Sequence, residues 1–285
     1  MALKSDSYSA VMAVVLALMG SVMWGIADFV GGFTSKKVHV SVVVTISQFF
    51  GLLTIALYGV LTGGQWDSAA WMWAVFASVS GFAGLMMFYQ ALSIGRMGIV
   101  SPIAALGALI PLAAGLISGD QPSASQYLGI VVAIVGIVFA SGPEISGGAD
   151  PKPVFLAVGA AVGFGTCFWA MAEGSQYSVL STMLLMRIVT VTLGLIAVSF
   201  TIRSFTVESR SVKLLAVVGV FDVLANVAFG IATTSGMLSL VGVLGSLYPV
   251  ATVLLARFIL KEKLLPIQYV GVGAALLGVV AIGDG

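Results

Sequence analysis

Hydrophobic residues come in long blocks along this chain, and polar residues collect in the gaps between them. A helix that crosses a bilayer needs about 20 mostly apolar residues. Reading from gap to gap predicts ten such spans, at 9–33, 40–62, 69–93, 97–118, 125–142, 153–175, 179–202, 212–235, 236–257 and 266–283. The eighth and ninth meet at "ATTSGMLS", which has no charge. The break is placed there because the corresponding "ALSIGRMGIV" contains Arg96. The first block follows Lys4 and outruns the short apolar core of a signal peptide, so it reads as a retained span. The pattern predicts an all-α integral membrane protein.

Charge then sets the direction of threading. Ten of the twelve Lys and Arg residues lie in the loops after odd-numbered spans: Lys36, Lys37, Arg96, Lys152, Arg203, Arg210, Lys213, Arg257, Lys261 and Lys263. The opposite side has Lys4, and Arg187 lies within a span. Basic loops stay in the cytoplasm, so both termini are expected on the periplasmic side of a bacterial inner membrane. The run "RFILKEK" anchors the ninth span, with Glu262 expected to pair with a neighbouring lysine.

Composition removes several classes. The chain is 60% hydrophobic and 8% charged, against about 25% charged in soluble domains. A net charge of +1 without a basic arm gives no sign of nucleic acid. One cysteine, Cys167, allows no internal disulfide and reads as inert packing. One histidine, His39, reads as an interfacial residue, so no zinc or other metal site is expected. No cofactor is implied, and no nucleophile–base set or phosphate loop suggests an enzyme.

The chain also repeats itself at an offset of about 140 residues. "WGIADF" lies against "FGTCFW", and "YQALSIGRMGIV" against "GIATTSGMLSL". "GDQPSASQYLGIVVAIVGIV" lies against "KEKLLPIQYVGVGAALLGVV", matching Gln126-Tyr127 with Gln268-Tyr269. Two units of five spans follow, at 1–145 and 146–285. Five is odd, so the second is inverted, an arrangement in which the halves rock about a central cavity.

"PVATVLLARFILKEKLLPIQYVGVGAALLGVV" resembles the ending of an EamA domain, the repeat unit of the drug/metabolite transporter superfamily, and "SPIAALGALIPLAAGLISGDQPSASQYLGIVVAIVGIV" resembles a first such ending. The family pattern has glycine-glutamate where this chain has Gly119-Asp120 and Lys261-Glu262. The resemblance covers nearly the whole chain. It implies an exporter that hydrolyses no ATP, close to amino-acid exporters, aromatic ones included. It also implies a cavity among spans 1, 3, 4, 6, 8 and 9, with 2 and 7 flanking and 5 and 10 behind.

Ionisable groups within spans are costly and mark pathways. Trp24 and Asp28 share a helix face four residues apart, and Trp169 and Glu173 repeat the spacing near the opposite mouth. Asp222 and Asn226 form a third such face, nearer mid-membrane. Trp24, Asp28, Tyr89, Trp169, Asp222 and Asn226 are the candidate substrate contacts. Arg187 needs a partner, Asp222 or Glu173, or else meets a substrate carboxylate. Gln48 and Gln90 add polar groups, Gln90 as a bond between helices. Pro102, Pro111 and Pro249, each removing a backbone bond, are candidate hinges or gates together with Glu173. The prolines, with Gly107, Gly242 and Gly245, place spans four and nine beside the cavity. Gly129, Gly136, Gly271 and Gly278 read as a scaffold or dimer face. The expected protein is a secondary transporter of small amphipathic metabolites, a monomer or homodimer in the bilayer. A drug or cation exporter and an uncoupled facilitator remain alternatives.

Overall fold

The structure, a computed structural model, describes residues 2–64, 66–141, 151–201, 207–261 and 265–283. Among them the chain is helical. The helices are α1 (Ala2–Ser35), α2 (Val40–Thr62), α3 (Trp71–Ile94), α4 (Met97–Ala105), α5 (Leu109–Ile117) and α6 (Ala124–Ser141) in the first half. The second half has α7 (Lys152–Tyr177), α8 (Val179–Thr201), α9 (Ser209–Ser235), α10 (Leu238–Gly245), α11 (Tyr248–Ile259) and α12 (Pro266–Gly283). Among the described residues, nine helical segments are long and apolar enough to cross a bilayer, counting α4–α5 and α10–α11 as one each. Ala124–Phe139 is a shorter apolar helix at the fifth expected span. The expected junction at 145/146, Arg203, Glu262 and Lys263, and the Lys4 side chain lie outside what is described.

Two of the expected spans are broken in the middle. A short 3-10 turn, Leu106–Ala108, separates α4 from α5, and Ser246–Leu247 separate α10 from α11. A proline ring clashes with the carbonyl four residues earlier and has no N–H to donate to it. Counting back four from Pro111 gives Gly107, inside the first break. Counting back from Pro249 gives Gly245, the last residue of α10. Pro102 lies inside α4, where it frees the carbonyl of Gly98, and that oxygen accepts a hydrogen bond from Nε2 of Gln268 at 3.2 Å.

Packing follows a pseudo-two-fold arrangement. The inverted repeat pairs α1 with α7, α2 with α8, α3 with α9, and α6 with α12. Accordingly α1 packs on α9 as α7 packs on α3, and α2 on α9 as α8 on α3. The pairs α2–α8 and α6–α12 cross their own counterparts. The glycines at the α6–α12 crossing are consumed there. A Cβ on Gly136 would stand 2.4 Å from the Ala275 nitrogen and 2.7 Å from the Gly271 oxygen, and one on Gly278 2.7 Å from the Gly129 oxygen. This stripe is therefore a scaffold within the chain and not a free dimer face. The paired Gln126 and Gln268 begin these two helices, accepting from the backbone of Ser123 and Leu265 at 2.8 Å each, the glutamine half of a capping box.

The glycine-acid pattern before α6 and α12 marks a left-handed turn. Gly119 has φ 107°, and Lys261 at the matching place in the second half has φ 57°. The first turn aims Asp120 at the other repeat, where its carboxylate accepts from the backbone N–H of Ser239 at 2.8 Å, at the start of α10.

Candidate functional site

Three charged side chains and a ring of aromatics meet at the middle of the bundle. Asp222 stands thirteen residues from either end of α9, and Arg187 reaches it from α8. Their atoms Nη1 and Oδ2 are 2.9 Å apart. Gln48 of α2 closes the set: its Oε1 accepts from Arg187 Nη1 and from Thr190 Oγ1, and its Nε2 donates to Asp222 Oδ2 at 3.0 Å. The amide thus bonds to both members of a pair that would otherwise be expensive inside a membrane.

Beside this network is a small cavity of about 70 Å³. Asp28, Gln48, Arg187, Thr190, Asp222 and Asn226 supply its polar wall. Trp24, Phe82, Phe164, Phe168 and Tyr248 supply most of the apolar one. The Trp24 indole donates to Asn226 Oδ1 at 2.8 Å and stacks on Phe168 with centroids 4.8 Å apart. Asp28 is buried, 7% exposed, and takes no hydrogen bond or ion pair from any other described residue.

Five of the residues picked out in the sequence therefore share this cavity: Trp24, Asp28, Arg187, Asp222 and Asn226. Arg187 pairs with Asp222 and not with Glu173. The others lie elsewhere in the bundle. Tyr89 is buried away from the wall, its ring pressed on Gly31, where a Cβ would come within 2.4 Å. Trp169 donates to Glu173 at 3.2 Å and packs edge-on against Trp73 and Phe76, so this pair serves the α3–α7 contact. Gln90 bonds locally to Ser93. His39 caps the start of α2.

The expected cavity wall also changes. The fourth span, α4–α5 with Pro102 and Pro111, contributes nothing to it. Its Gly107 lies against α7, where a Cβ would be 2.3 Å from the Ala161 oxygen, and Pro111 fills the space beside Gly242. Gly245 faces Phe229 and Trp24. These glycines are packing surfaces between helices, and span nine reaches the cavity only through Tyr248. Helices α2 and α8, expected to flank, supply Gln48, Arg187 and Thr190. Cys167, expected as inert packing, lies on the wall. The clamp made by Gln48 is not legible in the sequence, because its partners are 139 and 174 residues away. The signal available was a glutamine amid an apolar block.

A duplicated bundle of apolar helices around a small central cavity defines a membrane transporter. The family profile of EamA-like transporters matches the chain twice, at residues 11–142 and 151–283; the chain belongs to the EamA-like transporter family. A solved crystal structure superposes with a TM-score of 0.76, covering 94% of this chain and 95% of its own, at 14% sequence identity. That likeness shows the fold. No curated relative matches the sequence.

Proposed function

We propose that this protein exports small amphipathic metabolites, amino acids with aromatic side chains among them, by alternating access across a bacterial inner membrane. Both termini are then periplasmic, as the ten basic residues in alternate loops argue. The observation that carries the reading is the cavity. An aromatic wall suits an apolar side chain, while Asp28 and the Arg187–Asp222 pair supply charge at one edge. The helix breaks ahead of Pro111 and Pro249 are the hinges of this scheme, one in each repeat.

Export of lipophilic cations is the second reading. Asp28, a buried carboxylate without a cationic partner among the described residues, favours it. Uptake into proteoliposomes separates the two. Labelled tryptophan, phenylalanine and threonine are offered singly, with and without a proton gradient. Saturable amino-acid uptake, lost in Asp28→Asn, supports the first reading. Movement of lipophilic cations alone replaces it with the second. Uptake indifferent to the gradient makes the protein an uncoupled facilitator.

A further inference from the structure

The cavity is lined by two carboxylates and one guanidinium, and their partners differ. Arg187 and Asp222 neutralise each other at 2.9 Å, and Gln48 holds both. The rest of the guanidinium is sealed. Its Nε and Nη2 are buried without a partner among the described residues. The Nε faces the backbone of α2 at Gly51, where a Cβ would stand 3.3 Å from it. The two nitrogens that would grip a carboxylate side-on therefore offer no surface to the cavity. Asp28 is the reverse case. It lines the cavity, and no described residue balances it.

We propose, building on the transport reading above, that the cavity recognises a primary ammonium group on its substrate. Asp28 holds this group against the aromatic wall, and Arg187 takes no substrate carboxylate. A buried carboxylate without a counter-ion is costly, and a bound cation removes that cost. A carboxylate ligand would instead meet Asp28 unpaired and would have to break the Gln48 network to reach a free guanidinium edge. An aromatic amine is therefore as good a ligand as the amino acid of the same side chain, and the deaminated acid is a poor one.

The test uses three probes with one side chain: phenylalanine, phenethylamine and phenylpropionate. Their binding to the purified full-length protein in detergent is measured by calorimetry. Phenylalanine and phenethylamine should bind within about threefold of each other, and phenylpropionate at least about tenfold more weakly, since it alone carries a carboxylate with no ammonium group to set against Asp28. Asp28→Asn should abolish binding of the first two without lowering the melting temperature. Phenylpropionate binding as tightly as phenylalanine overturns the proposal. So does failure of phenethylamine to bind, or a folded Asp28→Asn that binds as the native chain does. If that variant does not fold, the three probes on the native chain decide alone. Proteoliposome uptake keeps the two ideas apart. Phenethylamine that binds and moves while no amino acid moves sinks the amino-acid reading and leaves the ammonium site standing. Amino acids carried while the amine is ignored do the opposite.

Discussion

Gln48 shows how much one neutral side chain can decide. Removing Arg187 leaves the half-buried Asp222 beside an amide that can offer it only one bond. Arg187→Ala should therefore cost about 3–5 kcal/mol, read as a large fall in thermal stability in detergent. The double variant Arg187→Ala/Asp222→Ala should lose less than Arg187→Ala alone, because no charge is then stranded. Equal losses would mean that the pair is not coupled. That Arg187 needs an acid was legible in the sequence, which left Asp222, Glu173 or a substrate carboxylate as the partner; the choice of Asp222 came from the structure. The Gln48 clamp and the Trp24–Asn226 bond were not legible. Each joins helices far apart in the chain, and no local spacing encodes them.

At the scale of the helix, apolar length and charged gaps were enough to place the spans. The prolines were enough to say that two of them would break. They did not say which way the broken helices face. Gly107 and Gly165 let the Leu106–Ala108 turn and α7 touch backbone to backbone, and this close approach turns the fourth span away from the cavity. The scaffold glycines give a direct check. Gly136→Val should prevent the α6–α12 crossing and reduce monodisperse protein on size exclusion. Gly273→Ala in the partner helix α12, where a Cβ meets nothing within 4 Å, should be neutral or slightly stabilising. The left-handed turns give a second. Gly119 has open space for a Cβ, so only its φ resists substitution. Gly119→Ala should destabilise by about 1 kcal/mol, and Lys261→Gly should stabilise by a similar amount, both measured as shifts in melting temperature.

For the whole molecule, the inverted repeat was legible because the paired glutamines, glycines and acidic turns recur in order. The central cavity was expected from that symmetry, and Asp28, Asp222 and Asn226 were expected at it, but Gln48, Arg187 and Thr190 reach it from the two helices expected only to flank. The sequence shows which residues are costly in lipid. It does not show on which side of each helix the costs are met. Orientation in the membrane is testable through the buried single cysteine, which gives a quiet background. Ser118→Cys should react with an impermeant maleimide in intact cells, and Ser209→Cys only after permeabilisation. The reverse pattern would invert the threading.

The place where Gln48 meets Arg187 has a history written into it. Helices α2 and α8 each have 23 residues and start at Val40 and Val179, 139 positions apart, the same separation as between Gln48 and Arg187. The two side chains therefore hold one and the same register position and meet on the pseudo-two-fold axis. In a homodimer of a single five-helix unit, every axis position faces its own twin. Two copies of the second half would set guanidinium against guanidinium in the middle of the membrane. Two copies of the first would join amide to amide and bring no cation for a buried acid. Fusing the halves into one polypeptide is what allows unlike residues to share the axis, and with them a site whose two edges differ in charge.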